Sequence, residues 1–175
     1  MKNILGLIEG LAQEHIQMKK MITSVQQVLN DMVGEERIEE KEEHFVPSHY
    51  LKQFKMLSKV EQSITELDNT LYTHITREER ALVEALSQFS GEVADGLKNI
   101  SQEHRVIRAR LKDMQKILRE LIDGKLGQAK WRSQAWDLRA CAAKTAQFLK
   151  EHIEKEEILY QYARQDLAKG TEAEV

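Results

Sequence analysis

Four long stretches of this chain place apolar residues at alternating spacings of three and four, the pattern of helices that each bury one face. Residues 3–33 align Ile4, Ile8, Leu11, His15, Met18, Ile22, Val25, Leu29 and Met32. Residues 48–89 align Leu57, Val60, Ile64, Leu67, Leu71, His74, Glu78, Leu82, Ala85 and Phe89. Residues 92–122 align Val93, Leu97, Ile100, His104, Ile107, Leu111, Met114, Leu118 and Leu121. Residues 130–168 align Trp131, Leu138, Cys141, Thr145, Phe148, His152, Glu156, Leu159 and Ala163. Four such stripes predict an all-α protein, an up-down-up-down antiparallel four-helix bundle.

The segments between the stripes read as connections. Residues 34–47 (GEERIEEKEEHFVP) form a charged link that ends in the only proline, Pro47. Its Glu and Lys residues suit a short solvated helix, which Pro47 interrupts before Ser48 caps the next one. At the rise of an α-helix the second stripe spans roughly 60 Å and the first about 45 Å, so residues 48–58 should overhang the bundle or fold over one end. Ser90–Gly91 is the next turn, and Asp123–Gly124 ends the third helix, with a loop to about Ala129. Residues 1–170 read as one domain and 171–175 as a flexible tail.

Six positions on the stripes are not apolar. His15 and His104 stand alone, while His74–Glu78 (HITRE) and His152–Glu156 (HIEKE) are HxxxE pairs. Residues i and i+4 share a helical face, so each His and its Glu point to the same place. His15 lies roughly 18 Å into its helix, His104 is similar, and His74, Glu78, His152 and Glu156 lie roughly 18–24 Å from the ends of theirs. In an antiparallel bundle all six therefore meet in one layer. Four imidazoles and two carboxylates buried together are costly unless each is paired, and a pair of metal ions would pair them all. Imidazole with carboxylate suits iron, with zinc and manganese as alternatives.

The halves also resemble each other. AQEHIQMKKMI is similar to SQEHRVIRARL, and LYTHITREE to LKEHIEKEE, so the site should have approximate two-fold symmetry. Glu79 and Glu157, one residue past each Glu, compete for the same role, but only Glu78 and Glu156 continue the stripe. Glu14 and Glu103 point about 100° away from the adjacent His and read as solvated, with orientation of the ligands as the alternative. His44, His49, Tyr50 and Tyr72 read as loop, surface or flanking residues, with a fold-back of His49 or Tyr50 over the site as the alternative. Trp131 and Trp136 read as bundle-end core.

Composition narrows the classes further. A formal net charge of −3 over 175 residues gives no basic nucleic-acid surface. No segment is long and apolar enough for a membrane span, and the broken apolar run MKNILGLIEG reads as a helix start. The single cysteine, Cys141, excludes an intrachain disulfide and fits the reducing cytoplasm. Nucleic acid and membrane are thus not expected partners, and a homodimer is left open.

The order H…HxxxE…H…HxxxE on four amphipathic helices resembles the hemerythrin-like (HHE cation-binding) family over nearly the whole chain. That resemblance implies two non-haem iron ions, oxo- or hydroxo-bridged, held by His15, His74, Glu78, His104, His152 and Glu156. It departs from the oxygen-carrying members, which have HxxxH on the third helix, where this chain has Arg108 four residues after His104, and HxxxxD on the fourth. The chain looks closer to the four-His, two-Glu subgroup, which includes iron–sulfur cluster repair proteins, although it lacks a Cys-bearing N-terminal domain like theirs.

The functional expectation is a di-iron protein that binds or senses oxygen, nitric oxide or iron. The alternative is peroxide or nitric oxide reactivity, or iron donation for cluster repair. A ferritin-like oxidase is excluded, because those bundles use Glu-x-x-His and none of the six His here has a Glu three residues before it.

Overall fold

The computed structural model describes residues 2–39, 47–82, 91–123 and 126–172. They form four long helices: α1 (Lys2–Glu39), α2 (Pro47–Arg77), α3 (Gly91–Ile122) and α4 (Gln128–Glu172). Helix α2 continues into a π-helical turn, Glu78–Leu82. Each helix packs on its two neighbours, α1 on α2 and α4, and α3 on α2 and α4, which closes the antiparallel bundle. The fold is the predicted four-helix bundle.

Boundaries moved where local chemistry favours helix. The predicted link is rich in Glu, a good helix former, and α1 runs on into it as far as Glu39. Pro47 starts α2 instead of standing before it, since a first-turn residue has no intrahelical donor to lose. Helix α1 has 38 residues and α2 has 31 before the π turn, and the predicted length order turns on residues outside the described ones. Helix α4 includes Thr171 and Glu172 of the expected tail. The end of helix 2 at Phe89, Ser90 of the predicted turn, His44 in the link and residues 173–175 lie outside the described residues.

The α3–α4 connection is tied at both ends. The Asp123 amide donates to the Arg119 carbonyl at 2.9 Å, and the Trp131 indole donates to the Leu121 carbonyl at 3.3 Å. The indole thus satisfies one of the carbonyls that the end of α3 leaves free.

The described stripe positions of α1, α2 and α3 are buried as predicted; Ile4, Leu82, Ala85, Phe89, Val93 and Leu97 lie outside the described side chains. Helix α4 is rotated slightly from its predicted face. Ala135, Ala142, Ala146, Leu149, Ile153 and Tyr160 are buried on it, while Trp131, Cys141, Phe148 and Leu159 stand at its margin. The main apolar core extends from Met18, Ile75, Ile107 and Ile153 to Met32, Leu57, Leu121 and Ala135. On the other side of the His/Glu layer lies a smaller group of buried apolar side chains, including Ile8, Leu11, Ile100 and Ala163.

Candidate metal centre

All six predicted residues meet between these two apolar regions. His15 comes from α1, His74 from α2, Glu78 from the first position of the π turn, His104 from α3, and His152 and Glu156 from α4. None is more than 2% exposed. The imidazoles form two pairs. His15 and His74 have ring centroids 4.8 Å apart, as do His104 and His152, while His74 and His104 are 6.4 Å apart across the middle.

Glu156 lies between the pairs and offers one oxygen to each. Its Oε2 is 2.8 Å from His15 Nε2 and 3.6 Å from His74 Nε2. Its Oε1 is 2.8 Å from His152 Nε2 and 3.1 Å from His104 Nε2. Glu78 is placed differently. Its Oε2 faces His104 Nε2 at 3.1 Å, and its Oε1 accepts a hydrogen bond of 2.9 Å from the Tyr160 hydroxyl. One ligand atom from each of His74, Glu78, His104 and Glu156 falls within 4.8 Å of the others.

Short distances do not make these groups mutually satisfied. His15 Nε2, His74 Nε2, His152 Nε2, Glu78 Oε2 and Glu156 Oε2 are buried without a hydrogen-bond partner of adequate geometry. Each such orphan costs about 1–3 kcal/mol. Five converging on one layer fit a cation site, because imidazole nitrogens and carboxylate oxygens are donors that one or two metal ions would satisfy together.

Four more carboxylates lie outside the imidazoles, and two of them each hold one. Glu14 lies 3.0 Å from His74 Nδ1 and Glu103 lies 2.9 Å from His152 Nδ1, both within hydrogen-bond reach. Glu157 and Glu79 stand farther off, each 3.6 Å from the Nδ1 of His15 and His104 respectively. Every outer carboxylate has a second anchor. Arg77 pairs with Glu14 and Lys155 with Glu103, Lys19 donates to Glu157 at 3.1 Å, and Ser101 donates to Glu79 at 2.9 Å. A hydrogen-bonded carboxylate fixes the ring orientation and tautomer of a ligating His, and Glu14 and Glu103 are so placed on His74 and His152, with Nε2 turned inward.

The solvated reading of Glu14 and Glu103 is therefore corrected. Each points away from its own neighbouring His, as expected, but reaches the His of the next helix. Glu79 and Glu157 are about half exposed, at 45% and 42%, so Glu78 and Glu156 are the inward carboxylates. Helix α2 is continuous from Pro47, which leaves the backbone of His49 and Tyr50 roughly 37 Å along it from His74 and excludes the fold-back. Tyr72 is exposed beside Arg108.

Charge distribution follows from this packing. Burial pushes the His104 imidazole down, but its hydrogen bond to Glu156 and the nearby Glu78 carboxylate outweigh it and raise it to about 9. His74 is raised in the same way, chiefly by Glu156 against burial. Burial works against the charged form of Glu156 too, yet the surrounding imidazoles hold its carboxyl well below the usual carboxylate range.

Sequence reasoning missed Tyr160. It is 2% exposed, and its ring stacks on His15 with centroids 5.7 Å apart and 12° between planes. Its position was available as a signal, since it stands four residues beyond Glu156 on the same stripe.

No helix among the described residues is long and apolar enough to cross a membrane. No curated protein and no solved structure matches the chain. The hemerythrin HHE cation binding domain matches residues 6–163, a span that reaches into all four helices and includes every residue of the His/Glu layer, and the chain belongs to that family.

Proposed function

We propose that the protein holds a bridged pair of non-haem iron ions, one at His15/His74 and one at His104/His152, and binds dioxygen or nitric oxide there. Glu156 would be the shared carboxylate and Glu78 a further ligand. The observation that carries this reading is the orientation of Glu156, whose two oxygens face different His pairs. Bound iron would supply redox chemistry and open coordination positions.

The chain supplies the rest. Two His and a shared carboxylate leave each metal position unfilled by protein. The apolar regions on both sides of the layer keep bulk water from it. Two core carboxylates bring two negative charges against two divalent ions, so the centre stays net positive and favours an electron-rich ligand. The single thiol, Cys141, is pushed up by burial and takes no part; with it we assign the protein to the reducing cytoplasm.

The test is metal content with an absorption spectrum, on protein purified without air and then exposed to air or nitric oxide. Two irons per chain and new charge-transfer bands on exposure are expected. Folded protein that takes up no iron after reconstitution would sink the proposal. Sustained consumption of peroxide or nitric oxide, in place of stoichiometric binding, would instead identify an enzyme.

A further inference from the structure

Each of the four seams of the bundle carries one outer carboxylate at the level of the His/Glu layer, and the seams are of two kinds. Where α1 meets α2, Glu14 pairs with Arg77 and lies 3.0 Å from His74 Nδ1. Where α3 meets α4, Glu103 pairs with Lys155 and lies 2.9 Å from His152 Nδ1. These two carboxylates are only 17% and 20% exposed, and they close their seams by holding an imidazole on one side and a cation on the other. The other two seams are open. Glu157, where α4 meets α1, and Glu79, where the end of α2 meets α3, are about half exposed. Each stands 3.6 Å from the Nδ1 of a buried imidazole, His15 or His104, and both of those nitrogens lack a hydrogen-bond partner. The outer edge of these two rings is thus untied, whereas His74 and His152 are held.

We propose that the α1/α4 and α2/α3 seams are the passages by which ferrous iron enters and leaves the layer. Glu157 and Glu79 take the ion from water, and His15 and His104 are the imidazoles that yield to it. This rests on the di-iron reading above. The apolar regions on both sides of the layer close the way along the bundle axis, and Glu14 and Glu103 close the two remaining seams. Carboxylate oxygens suit a hydrated divalent ion, and each passage carboxylate adjoins a core one in sequence, Glu157 after Glu156 and Glu79 after Glu78. Lys19 distinguishes the two passages. It donates to Glu157 at 3.1 Å, while Glu79 accepts from the neutral Ser101 hydroxyl at 2.9 Å. A cation beside Glu157 competes with an incoming ion, so Lys19 restrains the α1/α4 passage.

The experiment uses the full chain, metal-free, with ferrous iron added without air. A ferrous chelator follows uptake, an excess of it drives release, and competition at equilibrium gives the affinity. A passage changes both rates by one factor and leaves their ratio alone, which a group that orients a ligand does not do. The double variant Glu79→Gln with Glu157→Gln should slow uptake and release alike by about ten-fold or more, the scale of electrostatic steering into a charged cleft. Lys19→Gln should speed both. Glu103→Gln removes the same charge from a closed seam and should act on release alone. Unchanged rates in the double variant, a loss of affinity there with uptake unaltered, or equal slowing of uptake in Glu103→Gln would overturn the passages with the di-iron reading standing. Failure of the wild type to bind two irons at equilibrium would overturn that reading, and this inference with it.

Discussion

Glu14 follows Gln13 and precedes His15, yet the imidazole it holds is His74, on another helix; Glu103 and His152 repeat the arrangement. This crosswise placement decides what each carboxylate contributes. The cations that complete the pairs, Arg77 and Lys155, are 44% and 54% exposed. Exposed ion pairs are worth about 0–1 kcal/mol, so neither carboxylate is there mainly for stability. Orientation of a metal-ligating His is the larger effect, and losing such a partner typically costs about 10–100-fold in metal affinity. Glu14→Gln and Glu103→Gln should therefore each weaken iron binding by about 10–100-fold, with melting temperature in the metal-free state nearly unchanged. Competitive titration with a chelator and thermal melts read the two quantities separately. A variant that loses stability but keeps its affinity would show the carboxylates to be structural. Glu103 carries a further sign of its role. Burial works against its charge, but Lys155 and His152 hold its carboxyl below the usual range.

At the scale of the element, α1 contains a matched comparison. A side chain added at Gly6 meets nothing, while one added at Gly10 meets the end of the Arg77 guanidinium at 2.9 Å. Both positions are helical, and Gly→Ala there should gain up to about 1 kcal/mol from propensity alone. Gly6→Ala should show that gain in a denaturant melt and leave iron affinity alone. In Gly10→Ala, Arg77 must move, which loosens Glu14 and, through it, His74; iron affinity should fall although the fold is kept. Equal affinities in the two variants would mean that Arg77 does not matter to the centre. The same elements show what the sequence made legible. The stripes of α1 to α3 contrast large apolar residues with charged ones, so their buried faces, and His15, His74 and His104 on them, were readable directly. Helix α4 packs through Ala135, Ala142 and Ala146, small residues with a weak hydrophobic signal, and its face was set slightly off. The inward Glu156 was still found, because its i+4 spacing from His152 fixes it independently of that face. The contacts of Tyr160, Glu14 and Glu103 escaped for a different reason, although the place of Tyr160 on the stripe was visible. Their partners are on other helices, 49 to 82 residues away in sequence, and no local pattern encodes such a contact. The π turn after Glu78 likewise follows no residue signature that a helical pattern reveals.

For the whole molecule, the polar layer sets how stability depends on pH and on metal. The main core on one side supplies most of the burial; truncating a fully buried residue there, as in Leu111→Ala, should cost about 2–5 kcal/mol whether or not metal is bound. The layer itself behaves differently. In the metal-free protein His104 is raised to about 9 from an ordinary value of 6.5, with His74 raised alongside. A raised imidazole contributes stability that is fully present below 6.5 and is lost as pH climbs through about 9. Glu156, held below its ordinary 4.5, contributes stability that is present above that value and is lost as pH falls through its depressed one. Metal-free protein should thus be most stable between these limits and weaken on the alkaline side. A metal ion reverses the trend there, because it displaces the same protons, and their competition fades as pH rises. Binding at a free metal concentration about 100 times the dissociation constant adds about 2.7 kcal/mol, and that constant tightens with pH. The gap in melting temperature between loaded and metal-free protein should therefore widen from pH 6.5 to 9, with proton release on iron binding shrinking over the same interval. Paired thermal melts and calorimetry in buffers of different ionisation enthalpy measure both. A gap that stays constant, with no protons released near neutral pH, would mean that His104 and His74 are neutral in the metal-free protein. The orphaned atoms of the layer would then have to be satisfied by something other than the protons that a metal replaces.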